Sequence, residues 1–106
     1  MRTILYIDTS DSQKILLKLQ TEGMVKKISS RSRILRSEAA LPLIDKLLKE
    51  NNLNINDLSE IRVILGPGSF TGLRVGASIA NTLSYLLKIP VNSKEIGDLV
   101  QPVYNK

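Results

Sequence analysis

The sequence predicts an α/β domain of the ribonuclease-H type, in which helices pack on a mixed five-stranded sheet. Three observations support this: an apolar run at residues 4–7, two alternating strand patterns directly after it, and a change to helical periodicity from residue 37 onward. The predicted order is β-β-β-α-β-α-β-α. A meander that leads into right-handed crossovers produces a mixed sheet with helices on it.

The first thirty residues are typical of an antiparallel meander. Ile4–Ile7 is apolar throughout, as expected for a central strand covered on both faces, and a polar turn follows at 8–12. Apolar and polar residues alternate over 15–20, and Met24–Ser30 can form a third strand after the turn at 21–23.

The first helix is predicted from Ser37 to about Asn51, with an apolar arc on one side. Pro42 lies inside this segment and lacks the N–H that a helix interior needs. Two interpretations follow: the helix begins later than Ser37 with Pro42 in its first turn, or it is kinked at Pro42.

Two further strands and two further helices are predicted in the second half of the chain. The apolar run Ile61–Leu65 is a buried strand, and Phe70–Leu87 is long enough for a helix of about five turns. A short strand near Pro90–Asn92 and a last helix over Lys94–Val100 complete the order.

The segment between the fourth strand and the long helix reads Gly-Pro-Gly-Ser-Phe-Thr-Gly-Leu-Arg-Val-Gly, residues 66–76. A glycine turn that opens a helix can hold an anion on its free N–H groups. No Lys-Ser or Lys-Thr pair follows the last glycine, so a structural turn capped by Ser69 or Thr71 is favoured over a nucleotide loop. The candidate anion-binding residues of this hypothesis are Asp8, Thr9, Ser10, Gly66, Gly68, Ser69 and Thr71.

Small residues recur along one side of the long helix, at Gly72, Gly76 and Ala80. Each interior glycine costs a helix about 0.5–1 kcal/mol relative to alanine, so close packing should recover the loss. Two interpretations are open: this face packs against the protein's own sheet or helix, or it meets another chain.

Composition excludes several kinds of catalytic site. The 106 residues are enough for one domain, and they include no cysteine and no histidine. Thiol nucleophiles, Ser-His relays and histidine-bearing zinc sites are therefore excluded, and no metal or cofactor is expected. The N-terminal apolar run is too short for a signal peptide and no segment is long enough for a membrane span, which predicts a cytoplasmic protein without membrane contact.

The net charge of +5 is concentrated between residues 13 and 36. This basic patch contains Lys14, Lys18, Lys26, Lys27, Arg31, Arg33 and Arg36 against a single acid, Glu22. Cations attract nucleic-acid phosphates, but almost no aromatic residue lies nearby to stack bases. A solvated strand edge that resists aggregation is therefore favoured over a nucleic-acid groove.

Three motifs together resemble the TsaB/YeaZ family, which serves the bacterial machinery that makes threonylcarbamoyladenosine in tRNA. They are Ile7-Asp8-Thr9-Ser10, Arg36-Ser37-Glu38 with Leu41-Pro42-Leu43-Ile44, and the segment 66–76. The resemblance covers residues 1–92 and accounts for Pro42, because the family carries a proline there. It implies an actin/Hsp70-like (ASKHA) fold, with residues 1–106 as a single N-terminal lobe and without the family's C-terminal lobe.

The resemblance implies a non-catalytic subunit that binds the paralogue TsaD through two helices of each protein, with TsaE as a further component. On this chain the helices are 38–51 and 70–87. The implied contact residues are Glu38, Leu41, Asp45, Leu48, Phe70, Gly72, Leu73, Gly76, Ala80 and Leu83. A face built for a paralogue also suits a second copy about a two-fold axis, so a homodimer is expected when TsaD is absent.

Two other functions compete with a scaffold subunit. One is a nucleotide-binding enzyme of the actin/Hsp70-like class, using the turns at 8–10 and 66–71 as phosphate loops. The other is direct tRNA binding through the basic patch, for which the affinity should fall steeply with salt.

Overall fold

The computed structural model describes residues 2–11, 13–31 and 37–103, with the backbone alone at 37–39. The strands are β1 (Ile4–Asp8), β2 (Lys14–Thr21), β3 (Met24–Arg31) and β4 (Glu60–Val63); the α-helices are α1 (Ser37–Glu50) and α2 (Phe70–Leu87), and a 3-10 turn spans Ile55–Asp57. The strands form one sheet in the order β3-β2-β1-β4. Pairing is antiparallel across β1, β2 and β3, and β4 runs parallel to β1. A mixed α/β fold is thus confirmed.

Both α-helices pack on one face of the sheet, which we call the inner face. Side chains alternate along each strand, so β1 turns Leu5 and Ile7 inward and Tyr6 outward. The buried core of the inner face comprises Leu5, Ile7, Ile15, Leu17, Leu19, Ala40, Ile44, Leu47, Leu48, Ile61, Val63, Ala77, Ile79, Ala80, Leu83 and Val91. The opposite, outer face carries Tyr6, Leu16, Lys18, Lys27 and Arg62.

The first helix begins at Ser37 and continues through Pro42. The interpretation that it begins later, with Pro42 in its first turn, is therefore wrong. The helix ends at Glu50 because Asn52 adopts a left-handed conformation, with φ of 59°. The N–H of Leu53 then donates to the carbonyl of Leu48 at 2.9 Å, which closes the helix end.

The fifth strand of the predicted sheet is reduced to a single parallel bridge between Ile61 and Val91. Asn92 and Ser93 adopt left-handed conformations that turn the chain away from the sheet. The Asn92 side chain instead bonds both backbone groups of Val63, at 2.8 and 3.1 Å. These two bonds satisfy the backbone N–H and carbonyl of Val63 at the edge of β4 without a fifth strand. The strand β4 ends at Val63, whereas the sequence predicts its end at Leu65.

The predicted helix over Lys94–Val100 is also absent. Gly97 lies at φ of 98°, which interrupts a helix, and the segment forms two isolated turns, over 91–94 and over 95–98. The side chain of Asn81 on α2 holds both backbone groups of Val100, with two hydrogen bonds of 2.9 Å. The segment therefore lies extended along α2, and its last described residue, Val103, donates its N–H to the carbonyl of Leu65 at 2.7 Å.

Although α2 is mostly apolar, no helix among the described residues has both the length and the apolarity to cross a bilayer. The C-terminal end of α2 is capped by Lys88, whose backbone is left-handed with φ of 55°. The N–H of Lys88 bonds the carbonyl of Ser84, as in a left-handed helix cap.

A buried carboxylate joins β1, β4 and the loop after Val91. Glu60 is almost fully buried and is paired with Arg2 and with Arg62. The N–H and hydroxyl of Ser93 donate to the same carboxylate at 2.9 and 3.1 Å. Burial alone raises the pKa of Glu60, but hydrogen bonds from Arg2, Ser93 and Arg62 and the Arg62 charge outweigh it, so the pKa lies below the ordinary value of 4.5.

Replacement of Glu60 by Gln should lower the free energy of unfolding at pH 7 by about 1–3 kcal/mol, because two guanidinium groups lose a charged acceptor. A depressed pKa in the folded state stabilises the protein above pH 4.5, and this contribution is lost as the pH falls. The difference between the two proteins should therefore shrink between pH 7 and pH 3 in urea unfolding experiments. Glu22→Gln, in an exposed turn, is the matched control and should change little; an equal loss at every pH would contradict the prediction.

Candidate functional site

The glycine turn before α2 folds directly against the turn after β1. Gly66 and Gly68 have φ of 154° and 159°, conformations that other residues rarely adopt, and the peptide between Gly66 and Pro67 is cis. Ser69 caps α2 by accepting the N–H of Gly72 at 3.2 Å, as predicted. The N–H of Ser69 donates to the carbonyl of Ser10 at 2.7 Å, which joins the two turns.

Thr9 fills the space that the glycines of α2 leave open. It is fully buried, and its hydroxyl donates to the carbonyl of Gly72 at 2.6 Å. A Cβ added at Gly72 would overlap the carbonyl oxygen of Thr9. At Gly76 the added Cβ would overlap the Thr9 hydroxyl and would lie 3.2 Å from a methyl group of Val63.

The small-residue face therefore packs inside the chain. Gly72, Gly76 and Ala80 are all buried, against the β1 turn and the sheet. The prediction that these three residues form a close-approach surface for another chain is wrong, because the chain's own backbone and side chains already occupy that space. Of the two interpretations of the stripe, packing on the protein's own sheet is correct.

The other predicted contact residues divide into buried and exposed groups. Leu48, Leu73 and Leu83 are buried in the core, at 1–3% exposure. Leu41 and Phe70 are exposed at 48% and 57%, and the side chain of Asp45 at 62%. Glu38 belongs to the first turn of α1, and its side chain lies outside the described residues, as do Arg33 and Arg36 of the basic patch.

Exposed residues of α1 and α2 adjoin at one cavity, and we call the area around it the α1/α2 surface. It consists of Leu41 and Asp45 on α1 with Arg74, Ser78, Thr82 and Tyr85 on α2. A cavity of about 110 Å³ lies between the helices and is lined by Leu41, Ser78, Ile79, Thr82 and Leu83. A spacing of 100° per residue places Arg74, Ser78, Asn81 and Thr82 on one side of α2, and the structure adds the exposed Tyr85, for which the sequence carries no signal.

The predicted anion-binding residues lie together, but several of their polar groups are bonded within the chain. The N–H and hydroxyl of Ser10 both donate to the Asp8 carboxylate, at 3.0 and 2.6 Å. The N–H groups of Ser69 and Gly72 are likewise bonded within the two turns. Among the described residues, no group of three or more acidic side chains has the arrangement of a metal site.

Comparison with known proteins identifies the family. A family model described as TsaD, tRNA N6-adenosine threonylcarbamoyltransferase, matches residues 7–93. The tRNA threonylcarbamoyladenosine biosynthesis protein TsaB of Bacillus subtilis is 31% identical over 97% of this chain. The chain belongs to the TsaB/YeaZ family. YeaZ from Pseudomonas aeruginosa has the same fold, with a TM-score of 0.80 and 28% identity over 90% of this chain.

The chain spans about half the length of these TsaB/YeaZ relatives: 50% of the B. subtilis protein and 44% of the P. aeruginosa structure. A tRNA N6-adenosine threonylcarbamoyltransferase of Nitrosospira multiformis is also similar, at 41% identity over 65% of this chain and 19% of that enzyme. A second P. aeruginosa structure is described as an uncharacterised protein with similarity to the peptidase YeaZ.

The contact between Thr9 and the α2 glycines should be visible in a double-mutant cycle. Gly72→Ala and Gly76→Ala should each lower the free energy of unfolding by about 1–3 kcal/mol through overpacking. Thr9→Ala removes the hydroxyl that obstructs a Cβ at residue 76, but leaves the carbonyl that obstructs residue 72. It should therefore partly rescue Gly76→Ala and not Gly72→Ala in urea unfolding.

Ser78→Ala, on the exposed side of the same helix, controls for changes in helix propensity and should alter the stability little. Equal coupling of Thr9→Ala to both glycine variants would show that the packing described for Gly76 is incorrect.

Proposed function

We propose that this chain is a non-catalytic subunit that docks on a TsaD-like tRNA N6-adenosine threonylcarbamoyltransferase and so supports threonylcarbamoyladenosine formation. The observation that carries the proposal is the exposed α1/α2 surface, on a chain whose family members are named for this pathway. Its two helices lie side by side on one face of the sheet, and their exposed residues include Leu41, Arg74, Ser78, Thr82 and Tyr85.

The chemistry of the α1/α2 surface fits a protein partner. Leu41 and Tyr85 present apolar area at 48% and 78% exposure, while Asp45, Arg74 and Ser78 supply polar groups around them. Interfaces between proteins combine apolar anchors with a polar rim in this way. The shallow cavity beside Leu41 can receive a side chain from a facing helix.

A subunit without its own catalytic centre is consistent with the sequence. With no histidine and no cysteine, the chain has none of the usual nitrogen or thiolate ligands for a catalytic metal and no Ser-His relay. In the proposed assembly the reaction belongs to the TsaD-like enzyme. The same surface suits a second copy of the chain, and TsaE is the further component that the family resemblance implies.

Leu41→Glu should weaken binding to the TsaD paralogue of the same organism by at least about tenfold, because it places a charge at an apolar contact. Binding is measured by isothermal titration calorimetry with the full chain. Ile96→Glu is the matched control, since Ile96 is an exposed aliphatic residue outside α1 and α2. Absence of a complex with the unmodified chain, or equal weakening by both variants, would contradict the proposal.

A further inference from the structure

We propose that the outer face of the sheet is a second docking site, for an acidic amphipathic helix of a partner protein. This site is on the opposite side of the sheet from the α1/α2 surface and does not depend on the function proposed above.

Of the described elements, neither α1 nor α2 covers the outer face, because both helices pack on the inner face. β4 runs parallel to β1 at this edge of the sheet, and Val91 adds a parallel bridge. A cavity of about 400 Å³ lies on the outer face at this point, and most of its wall is apolar; Tyr6, Leu16 and Ile64 are among the residues that line it. Ile64 is 43% exposed at its rim.

Cations surround this apolar cavity. Lys18 and Lys27 line it from directly opposite positions on β2 and β3. Like charges at such positions repel each other, and an anion between them would relieve the repulsion. Neither lysine forms an ion pair with any residue in the described part of the chain.

Arg62 lines the cavity on the β4 side. It shares the single carboxylate of Glu60 with Arg2, so this group keeps a net positive charge. Among the described residues, the one acid in the wall is Asp8, whose Oδ1 already accepts two hydrogen bonds from Ser10. The rim therefore has an excess of positive charge.

The positive charges around the outer-face cavity favour some binding partners over others. A second copy placed face to face would bring the same cations together, which electrostatic repulsion disfavours. Single-stranded RNA would need an aromatic platform, but the Tyr6 ring is covered by the Lys18 ammonium at 4.2 Å and its hydroxyl is bonded to Gln20. An amphipathic helix can place an apolar side chain in the cavity and carboxylates beside Lys18, Lys27 and Arg62.

The test measures binding of the full chain to a fluorescent peptide of about 18 residues, made of alanine, leucine and glutamate with leucine at helical spacing. Fluorescence anisotropy gives the affinity, and amide chemical shifts of the ¹⁵N-labelled chain locate the site. We expect shifts at Tyr6, Lys18 and Lys27. A shuffled peptide of the same composition and a peptide with lysine in place of glutamate should bind much more weakly.

The double variant Lys18→Gln/Lys27→Gln should weaken peptide binding by about five- to tenfold, because two charge contacts are lost. Its matched control is Lys26→Gln/Lys94→Gln, which removes the same charge. Lys26 pairs with Leu19, so its side chain lies on the inner side of the sheet. Ile64→Ser should weaken binding by about threefold through the loss of apolar contact. Urea unfolding confirms that each variant is folded.

Three results would overturn the proposal. The first is equal binding of the shuffled peptide, which would show attraction by charge alone. The second is a set of shifts on α1 and α2 instead of on the outer face. The third is displacement of the peptide by an oligouridylate of about 20 nucleotides that binds more tightly, which would identify the face as an RNA surface.

Discussion

The contact between the β1 turn and the first half of α2 determines how the rest of the structure is arranged. Thr9 lies so close to the helix that neither residue 72 nor residue 76 can carry a Cβ, and its buried hydroxyl bonds the carbonyl of Gly72. This close packing of Thr9 on α2 fixes the distance between the helix and the sheet. It also joins two segments that are more than sixty residues apart in the sequence. The helix tolerates two interior glycines because the close packing offsets their cost in helix stability.

That contact also decides which surfaces remain free. Once one side of α2 packs on the β1 turn and the sheet, its opposite side, with the exposed residues Arg74, Ser78 and Tyr85, remains available to another molecule. Because α1 lies beside it on the same face of the sheet, exposed residues of the two helices adjoin at the cavity between them. The outer face of the sheet then becomes a separate site, with an apolar centre and a basic rim.

The chain belongs to the TsaB/YeaZ family, and its curated TsaB relatives are named for threonylcarbamoyladenosine biosynthesis in tRNA. The matched relatives are about twice as long as this chain. Polar groups of the glycine turn that suggest an anion site from the sequence are bonded to the β1 turn instead. The motif over residues 66–76 is therefore first a structural feature, which fastens α2 to the sheet.

The sequence alone determined the mixed α/β class, the meander and the bounds of α2, because these depend on local periodicity, and it limited the cap of α2 to Ser69 or Thr71, of which the structure shows Ser69. It also shows that the 106 residues include no cysteine and no histidine. Only the tertiary structure showed that the glycine stripe faces inward, since a row of small residues looks the same whether it is packed on its own sheet or on a partner. The fifth strand is missing because the Asn92 side chain bonds the backbone of Val63, and no local pattern encodes which distant partner a side chain will bond. The last helix is interrupted at Gly97, and the side chain of Asn81 then fixes the path of the chain at Val100.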